Sequence, residues 1–197
     1  DMDRAVERIE TAITKKEQIF IHGDFDVDGV CATALLWEYL YRDRGANVMP
    51  YIPSRVDEGY GMSEKSLDAI AAKGGKLVIS VDCGIRDTEL VRSYRTRSRT
   101  SLDFIITDHH EPGDELPATV PVVHPLHSEH PYPEPYISGS MVAWKLVAAL
   151  EKKRTGKKFS WESVPGADLA AFATVADIMP LTGENLSLIT HLRAHET

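Results

Sequence analysis

Cysteines, long apolar runs and an excess of basic residues are all missing or scarce in this 197-residue chain. It has two cysteines, Cys31 and Cys83, and no CxxC pair, so a disulfide framework is not expected and a reducing cytoplasm is the default location. No apolar run approaches the roughly 20 residues that cross a bilayer, and the charged first ten residues are unlike a signal peptide. The sequence therefore predicts a cytoplasmic protein without a membrane segment.

The formal net charge of −8 argues against a protein that coats nucleic acid, because such proteins are usually basic. It does not exclude an enzyme that acts on nucleic acid. Aspartates that bind metal ions contribute to the negative charge, and the bound ions reverse the local field.

Short apolar segments alternate with amphipathic ones along the first 107 residues. Strict alternation of strands and helices predicts parallel strands joined by crossover helices. The predicted fold class is α/β, with an open, mostly parallel sheet, helices on both faces and a helical C-terminal portion. Strands are predicted at 18–22, 47–52, 76–81, 103–107 and 120–123, and helices at 30–41, from Ser63 to about 74, after 87 or 88, and at 139–153, 167–176 and 185–197.

Acidic turns follow three of the predicted strands. The first strand ends in His22-Gly-Asp24-Phe-Asp26-Val-Asp28-Gly29, the third in Asp82, and the fourth in Asp108-His109-His110. Ligands of open parallel sheets bind outside the carboxyl ends of the strands. Because like charges gathered there need a counter-ion, the sequence predicts a metal site at this edge.

The types of ligand limit the metal and the chemistry. Carboxylates and imidazoles without a thiolate suit manganese, magnesium, zinc or iron(II). Five to seven candidate ligands are too many for one tetrahedral ion but suit two ions that share a bridging carboxylate. Because paired metals roughly 3.5–4 Å apart serve phosphoryl hydrolysis, a phosphoester hydrolase is the predicted class.

Two other interpretations of the first turn fit poorly. Asp24-x-Asp26-x-Asp28-Gly29 matches the first half of an EF-hand calcium loop, but position twelve is Leu35 instead of glutamate, and a strand precedes the loop. A phosphate-binding glycine loop is also disfavoured, because neither GxxxxGK[ST] nor GxGxxG follows the first strand.

Together these motifs resemble the DHH phosphoesterase superfamily, which is named for the triplet seen here as Asp108-His109-His110. Within it, the chain is similar to the RecJ-type single-stranded-DNA-specific exonucleases over nearly its whole length. The stretches that carry this closer resemblance are Tyr51–Arg55, Asp57–Gly61, Ser138–Lys145 and Thr174–Leu181.

The resemblance implies two divalent cations, with manganese expected and magnesium as the alternative. It implies that Asp82 bridges the two ions. The implied ligands of the first ion are His22, Asp26 and Asp82, and those of the second are Asp28, Asp82, His109 and Asp177.

The resemblance also implies roles for the remaining site residues. His110 would face the scissile phosphate, and Asp108 would fix a histidine ring, as metal-bound imidazoles usually require. Asp24 belongs to the first motif and is a further candidate ligand, and Arg55 is a candidate phosphate contact. Asp82, Asp108 and His110 are thus the expected catalytic group.

The implied function is the phosphodiesterase core of a 5′-to-3′ exonuclease that acts on single-stranded DNA in repair and recombination. Single-stranded-DNA-binding protein or helicase partners are expected. The alternatives are a DHH phosphoesterase for oligoribonucleotides or cyclic dinucleotides, and a non-catalytic DHH scaffold. Residues 1–197 are expected to form the DHH domain, without the DHH-associated domain and OB-fold of full-length RecJ-like proteins, and to be weakly active alone.

Some other polar residues have less specific patterns. His124, His127 and His130 lie in a proline-rich connection and are predicted to be surface residues. Four arginines between Arg92 and Arg99 are typical of a solvated helix face, with a phosphate contact as the alternative. Lys145 fits either a phosphate contact or a helix residue whose charged end reaches solvent.

Overall fold

Five parallel strands form the central sheet of the computed structural model, which describes residues 1–97, 101–117, 119–127, 129, 131–157, 160 and 164–194. The strand order is β2-β1-β3-β4-β5, and every neighbouring pair is parallel. The sheet confirms the predicted α/β class. The strands are β1 (Ile19–His22), β2 (Val48–Tyr51), β3 (Leu77–Val81), β4 (Asp103–Thr107) and β5 (Val122–Val123).

Helices connect the strands and follow the last of them. Ser63 caps α3 through a capping box with Ser66, as its position in the sequence predicts. None of the helices within the described residues is both long and apolar enough to cross a membrane. The helices are α1 (Met2–Thr14), α2 (Val27–Glu38, continued by a π-helical turn at Tyr39–Asp43), α3 (Glu64–Ala72), α4 (Thr88–Thr96), α5 (Gly139–Thr155), α6 (Ala167–Ala176) and α7 (Gly183–Ala194).

Side chains that alternate along each strand build two apolar cores, one on each face of the sheet. In β1, Ile19 and Ile21 join the core under α1, α2 and α5, whereas Phe20 joins the core under α3 and α4. This period-2 alternation is inherent in strand geometry. It confirms helices on both faces, and Trp144 of α5 fills the larger core without any solvent exposure.

The direction of the strand order changes between β1 and β3. The chain passes from β1 to β2 on one side, and β3, β4 and β5 then follow on the other side of β1. Such a change opens a crevice at the carboxyl ends of the two central strands, where open α/β sheets bind ligands. The acidic turns after β1 and β3 lie at this crevice.

Candidate metal centre

The loops after β1, β3 and β4 bring their acidic residues together at one edge of the sheet. In the first loop Asp26 caps α2, because its side chain accepts a hydrogen bond from the Gly29 amide at 2.9 Å. A Cβ at Gly29 would lie 2.6–2.7 Å from atoms of Asp24, so only glycine permits this tight turn. Helix α2 therefore begins inside the acidic motif, which excludes a twelve-residue EF-hand loop.

Three overlapping groups of potential ligands form at this edge. In each group, one ligand atom per residue lies within 4.8 Å of the others. Asp82 belongs to two groups, and so does His109. The groups are Asp24, Asp26 and Asp82; Asp82, His109 and His110; and Asp28, His109 and Asp177.

Asp82 has a backbone conformation that is uncommon for any residue with a side chain. Its φ angle is +60°, in the left-handed region that Asp and Asn enter more readily than other non-glycine residues. Its amide donates to the Thr107 carbonyl at 3.0 Å, which fixes β3 to β4 at this point. Strained residues of this kind cluster at functional sites.

The N-terminus of α5 holds the Asp28 carboxylate. The amides of Gly139 and Ser140 donate to Asp28 Oδ2 and Oδ1 at 2.6 and 2.7 Å, and the Ser140 hydroxyl donates to the Asp28 carbonyl at 2.8 Å. The positive end of the helix dipole favours a carboxylate there. The carboxylate is thereby oriented, while its remaining lone pairs stay available to a ligand.

His110 is held on one side by Asp108. The Asp108 carboxylate accepts from His110 Nδ1 at 2.8 Å and from the amides of His109 and Ile85 at 2.7 and 3.0 Å. Although burial opposes it, the hydrogen bond and charge of His110 lower the pKa of Asp108. The Asp108 hydrogen bond raises the pKa of His110. The Tyr60 hydroxyl lies 3.0 Å from His110 Nε2 and 3.3 Å from Nδ1, so it approaches the face of the imidazole ring.

A family comparison accounts for these motifs. The family model described as "DHH family, N-terminal domain" matches residues 18–174. The chain belongs to the DHH family. This membership confirms the resemblance seen in the Asp108-His109-His110 triplet and the acidic turns.

Individual proteins similar to this DHH chain are RecJ exonucleases. The single-stranded-DNA-specific exonuclease RecJ of Bacillus subtilis (strain 168) is 40% identical over 189 residues, which are 96% of this chain and 22% of that protein. The crystal structure of exonuclease RecJ bound to manganese matches with a TM-score of 0.82 at 36% identity, covering 95% of this chain and 46% of that chain. RecJ from Thermus thermophilus in complex with Mn²⁺ matches with a TM-score of 0.76 at 33% identity, covering 95% of this chain and 26% of that chain. The DHH chain thus spans less than half the length of each relative.

The buried oxygens of this DHH centre fit a divalent cation. Both oxygens of Asp82 and one oxygen each of Asp24 and Asp177 are buried without a hydrogen-bond partner among the described residues. Burial raises the pKa of Asp82 to about 7 against the opposing effect of His109, and burial also raises the pKa of Asp24 and of Asp177. Buried polar atoms normally have partners, and carboxylates suit hard divalent ions.

His109 lies at the middle of the cluster. Its Nε2 is 3.2 Å from Asp82, at an angle outside hydrogen-bond geometry, and 3.6 Å from both Asp28 and Asp177. Burial lowers its pKa, but Asp82 and then Asp28 and Asp177 outweigh burial and raise the pKa to about 9. A cation at this point would take the place of the His109 proton as the counter-charge.

His22 is the predicted ligand that the structure leaves out of the three groups. It is fully buried, its Nε2 lies 3.1 Å from Ser66 Oγ, and its Nδ1 lies 3.8 Å from Cys83 Sγ. Burial lowers its pKa to about 4, so the ring is neutral. Its role as a metal ligand stays a prediction.

Some predictions about the surrounding basic residues are corrected or sharpened. His124 was predicted at the surface, but it is 5% exposed and its Nε2 lies 2.8 Å from the His110 carbonyl, so it supports the DHH loop. His127 is half-buried, and His130 lies outside the described residues. The Arg55 guanidinium lies 5.3 Å over the Phe25 ring, beside the first acidic loop.

The arginine run and Lys145 make contacts within the chain. Arg92 pairs with Glu89, Arg95 contacts Asp103 at 3.5 Å, and Arg97 contacts Asp68 at 2.9 Å. These pairs favour the solvated helix face over a phosphate contact, while Arg99 lies outside the described residues. Lys145 contacts Glu184 at 2.8 Å.

Residues that sequence reasoning missed are Gly139 and Ser140, which hold Asp28, and Tyr60, which contacts His110. Two of them lie directly after Ser138, whose side chain caps α5. A helix start with a Ser-Gly-Ser pattern, following a sheet edge, was the available signal for an anion held at a helix N-terminus.

Proposed function

We propose that the chain is the metal-dependent phosphodiesterase core of a 5′-to-3′ exonuclease for single-stranded DNA. The observation that carries this proposal is the meeting of aspartates and histidines at the sheet edge, with buried carboxylate oxygens left unpartnered. Membership in the DHH family and the similarity to RecJ exonucleases support the reaction and the substrate. The manganese named for two similar structures, and the magnesium named for a third, support a divalent cation.

We propose that two cations bind, with Asp82 shared between them. Asp24, Asp26 and Asp82 form one group of ligands, and Asp28, His109 and Asp177 form the core of the other. His22 remains a predicted ligand of the first ion. Bound divalent cations would lower the pKa of water and stabilise the charge that builds on the phosphorus oxygens.

The protein side chains would position and polarise the phosphate. With His110 Nδ1 engaged by Asp108, Nε2 is the atom left to donate to a phosphate oxygen, because the Tyr60 hydroxyl approaches the ring face. The hydrogen bond to Asp108 raises the pKa of His110 and so favours the protonated, donating ring. Arg55, beside Phe25, is the proposed second phosphate contact.

The proposal extends to the rest of the protein and its setting. The chain spans 22% of the Bacillus subtilis relative, and we propose that further domains, corresponding to the rest of that relative, complete the polynucleotide groove. The same proposal includes action in DNA repair and recombination and a cytoplasmic location. It also includes partners such as a single-stranded-DNA-binding protein or a helicase.

Manganese should raise the melting temperature of this chain, because the ion binds the folded ligand cluster and not the dispersed residues of the unfolded state. At an ion concentration about 100 times the dissociation constant, stabilisation is about 2.7 kcal/mol, or roughly 5–10 °C for a chain of this size. Differential scanning fluorimetry with and without a chelator measures the shift. An unchanged melting temperature at millimolar manganese would contradict a formed site.

Single-stranded DNA should be degraded from its 5′ end in the presence of manganese, with duplex DNA spared. The assay uses the full-length protein and oligonucleotides labelled at either end, and the products are separated by size. Release of mononucleotides from the 5′ end supports the proposal. Preference for a cyclic dinucleotide or a short oligoribonucleotide would replace it with a small-nucleotide phosphoesterase, and no hydrolysis of any substrate would favour a scaffold.

A further inference from the structure

The histidine at position 124 directly follows β5, in the proline-rich connection, yet it is only 5% exposed. Both nitrogens of its ring meet backbone groups. Nδ1 lies 3.0 Å from the amide nitrogen of Leu126, and Nε2 lies 2.8 Å from the carbonyl oxygen of His110. The His124 ring therefore connects its own segment to the loop that carries the Asp108-His109-His110 triplet.

These two contacts determine which nitrogen of His124 carries the proton. The Leu126 amide can only donate, so Nδ1 must be the unprotonated acceptor. The His110 carbonyl can only accept, so Nε2 must carry a hydrogen and donate it. Only the neutral ring with its hydrogen on Nε2 makes both bonds. A bridge of fixed direction thus runs from the Leu126 amide through the imidazole to the His110 carbonyl.

The bridge completes the fixation of the His110 backbone. The His110 amide donates to Asp108 Oδ1 at 3.1 Å, and the same oxygen accepts from Nδ1 of the His110 ring at 2.8 Å. The remaining polar group of the residue is its carbonyl, which His124 holds. Because the ring, the amide and the carbonyl of His110 all have partners, the direction of its Nε2 is fixed as well.

A second donor reaches the next carbonyl of the same loop. Arg86, in the turn between β3 and α4, donates from Nε to the Glu111 carbonyl at 2.8 Å. Arg86 is exposed, whereas His124 is buried. A hydrogen bond away from water is electrostatically stronger, and losing one partner leaves the other without compensation from solvent. We therefore expect the buried His124 to hold the loop more firmly than Arg86 does.

We propose that His124 is a positioning residue of the phosphodiesterase site, which holds the His110 carbonyl so that His110 is oriented towards the phosphate. His124 belongs to none of the three ligand groups found among the described residues, so it acts through the loop. The inference rests on the proposed function, and it adds a residue outside the motifs that carry the family resemblance.

The variants His124→Gln and His124→Leu separate the hydrogen bond from the volume of the side chain. The amide nitrogen of glutamine reaches about as far as Nε2 of histidine and can donate to the same carbonyl, whereas leucine has no donor. In the full-length protein, His124→Leu should lower kcat on single-stranded DNA about 10–100-fold, the loss usual for residues that support the ligands of a site. KM should change little, and His124→Gln should recover most of kcat.

The matched control is His127→Leu, because His127 lies in the same connection and its Nδ1 accepts from the Glu129 amide at 3.3 Å. This control should keep the wild-type kcat. Arg86→Ala, which removes the exposed donor, should lower kcat less than His124→Leu does. Equal losses in His124→Gln and His124→Leu, or a loss in His127→Leu as large as that in His124→Leu, would overturn the positioning role.

Nitrogen-15 NMR of the ring gives a second readout that needs no substrate. The imidazole signals that disappear in His124→Leu should show a protonated Nε2 and an unprotonated Nδ1 in the wild type. His124→Leu should also shift the amide signals of residues 109–111. The opposite tautomer, or unmoved amide signals, would refute the bridge whatever the activity. The expected tautomer in a protein that hydrolyses no phosphodiester would instead refute the proposed function on which the positioning role rests.

Discussion

Asp82→Ala is expected to abolish manganese-dependent hydrolysis of single-stranded DNA in the full-length protein. Asp82 belongs to two of the three ligand groups, and neither of its oxygens has a hydrogen-bond partner among the described residues. Removing the shared carboxylate would take a ligand from both ions. Because loss of residues that merely support a metal ligand costs about 10–100-fold, loss of this one should exceed about 100-fold. Initial rates on a 5′-labelled oligonucleotide measure it.

The matched control for this variant is Asp114→Ala, which removes an exposed carboxylate away from the ligand groups. It should keep wild-type activity and the wild-type response to manganese. Calorimetric titration should show that Asp82→Ala loses metal binding while its circular dichroism spectrum stays native. Activity near the wild-type level in Asp82→Ala would refute the shared-ligand assignment.

Gly139→Ala should impair metal binding although residue 139 has no side chain to act as a ligand. A Cβ at Gly139 would lie 2.4–2.8 Å from the Cβ, Cγ and Oδ1 atoms of Asp82, so either the carboxylate or the start of α5 must move. Movement of α5 would also loosen the two amides that hold Asp28. Overpacking of this kind costs about 1–3 kcal/mol, and metal affinity should fall about 10–100-fold.

Gly113→Ala serves as the control for the change from glycine to alanine. A Cβ there would meet its nearest neighbour, Arg86 Cγ, at an ordinary 3.8 Å. Manganese titration and thermal melting of both variants separate the two effects. Wild-type metal affinity in Gly139→Ala would show that the contact between α5 and Asp82 does not hold the ligands in place.

The sheet and its acidic edge could be predicted because their signals are local. The strand of residues 103–107 and the helix of residues 167–176 match the structure at both ends, since apolar periodicity and flanking residues define them. The position of Asp82 and of the DHH triplet at one edge follows from parallel topology alone. The start of α2 was predicted three residues late because Asp26, treated as a ligand, also caps the helix.

The side-chain contacts between residues that are far apart in the sequence could not be predicted from the sequence pattern. Asp28 meets Ser140 across 112 positions, and His22 meets Ser66 across 44. The Ser-Gly-Ser start of α5 indicates an anion at the helix N-terminus but not which carboxylate it holds, and nothing around His22 indicates Ser66 as its partner. His124 was misplaced for a related reason: a proline-rich stretch indicates an exposed connection, but this histidine packs under the DHH loop and contacts the His110 carbonyl.

The left-handed backbone conformation at position 82 limits which residues can replace Asp82 during evolution. With φ at +60°, branched and bulky side chains are disfavoured, whereas asparagine is accommodated several-fold more readily than most. Asparagine has nearly the same size as aspartate and lacks its charge. A single conservative replacement at position 82 would therefore remove the proposed shared ligand and keep the fold, so a descendant of this chain can lose the proposed chemistry while its architecture persists.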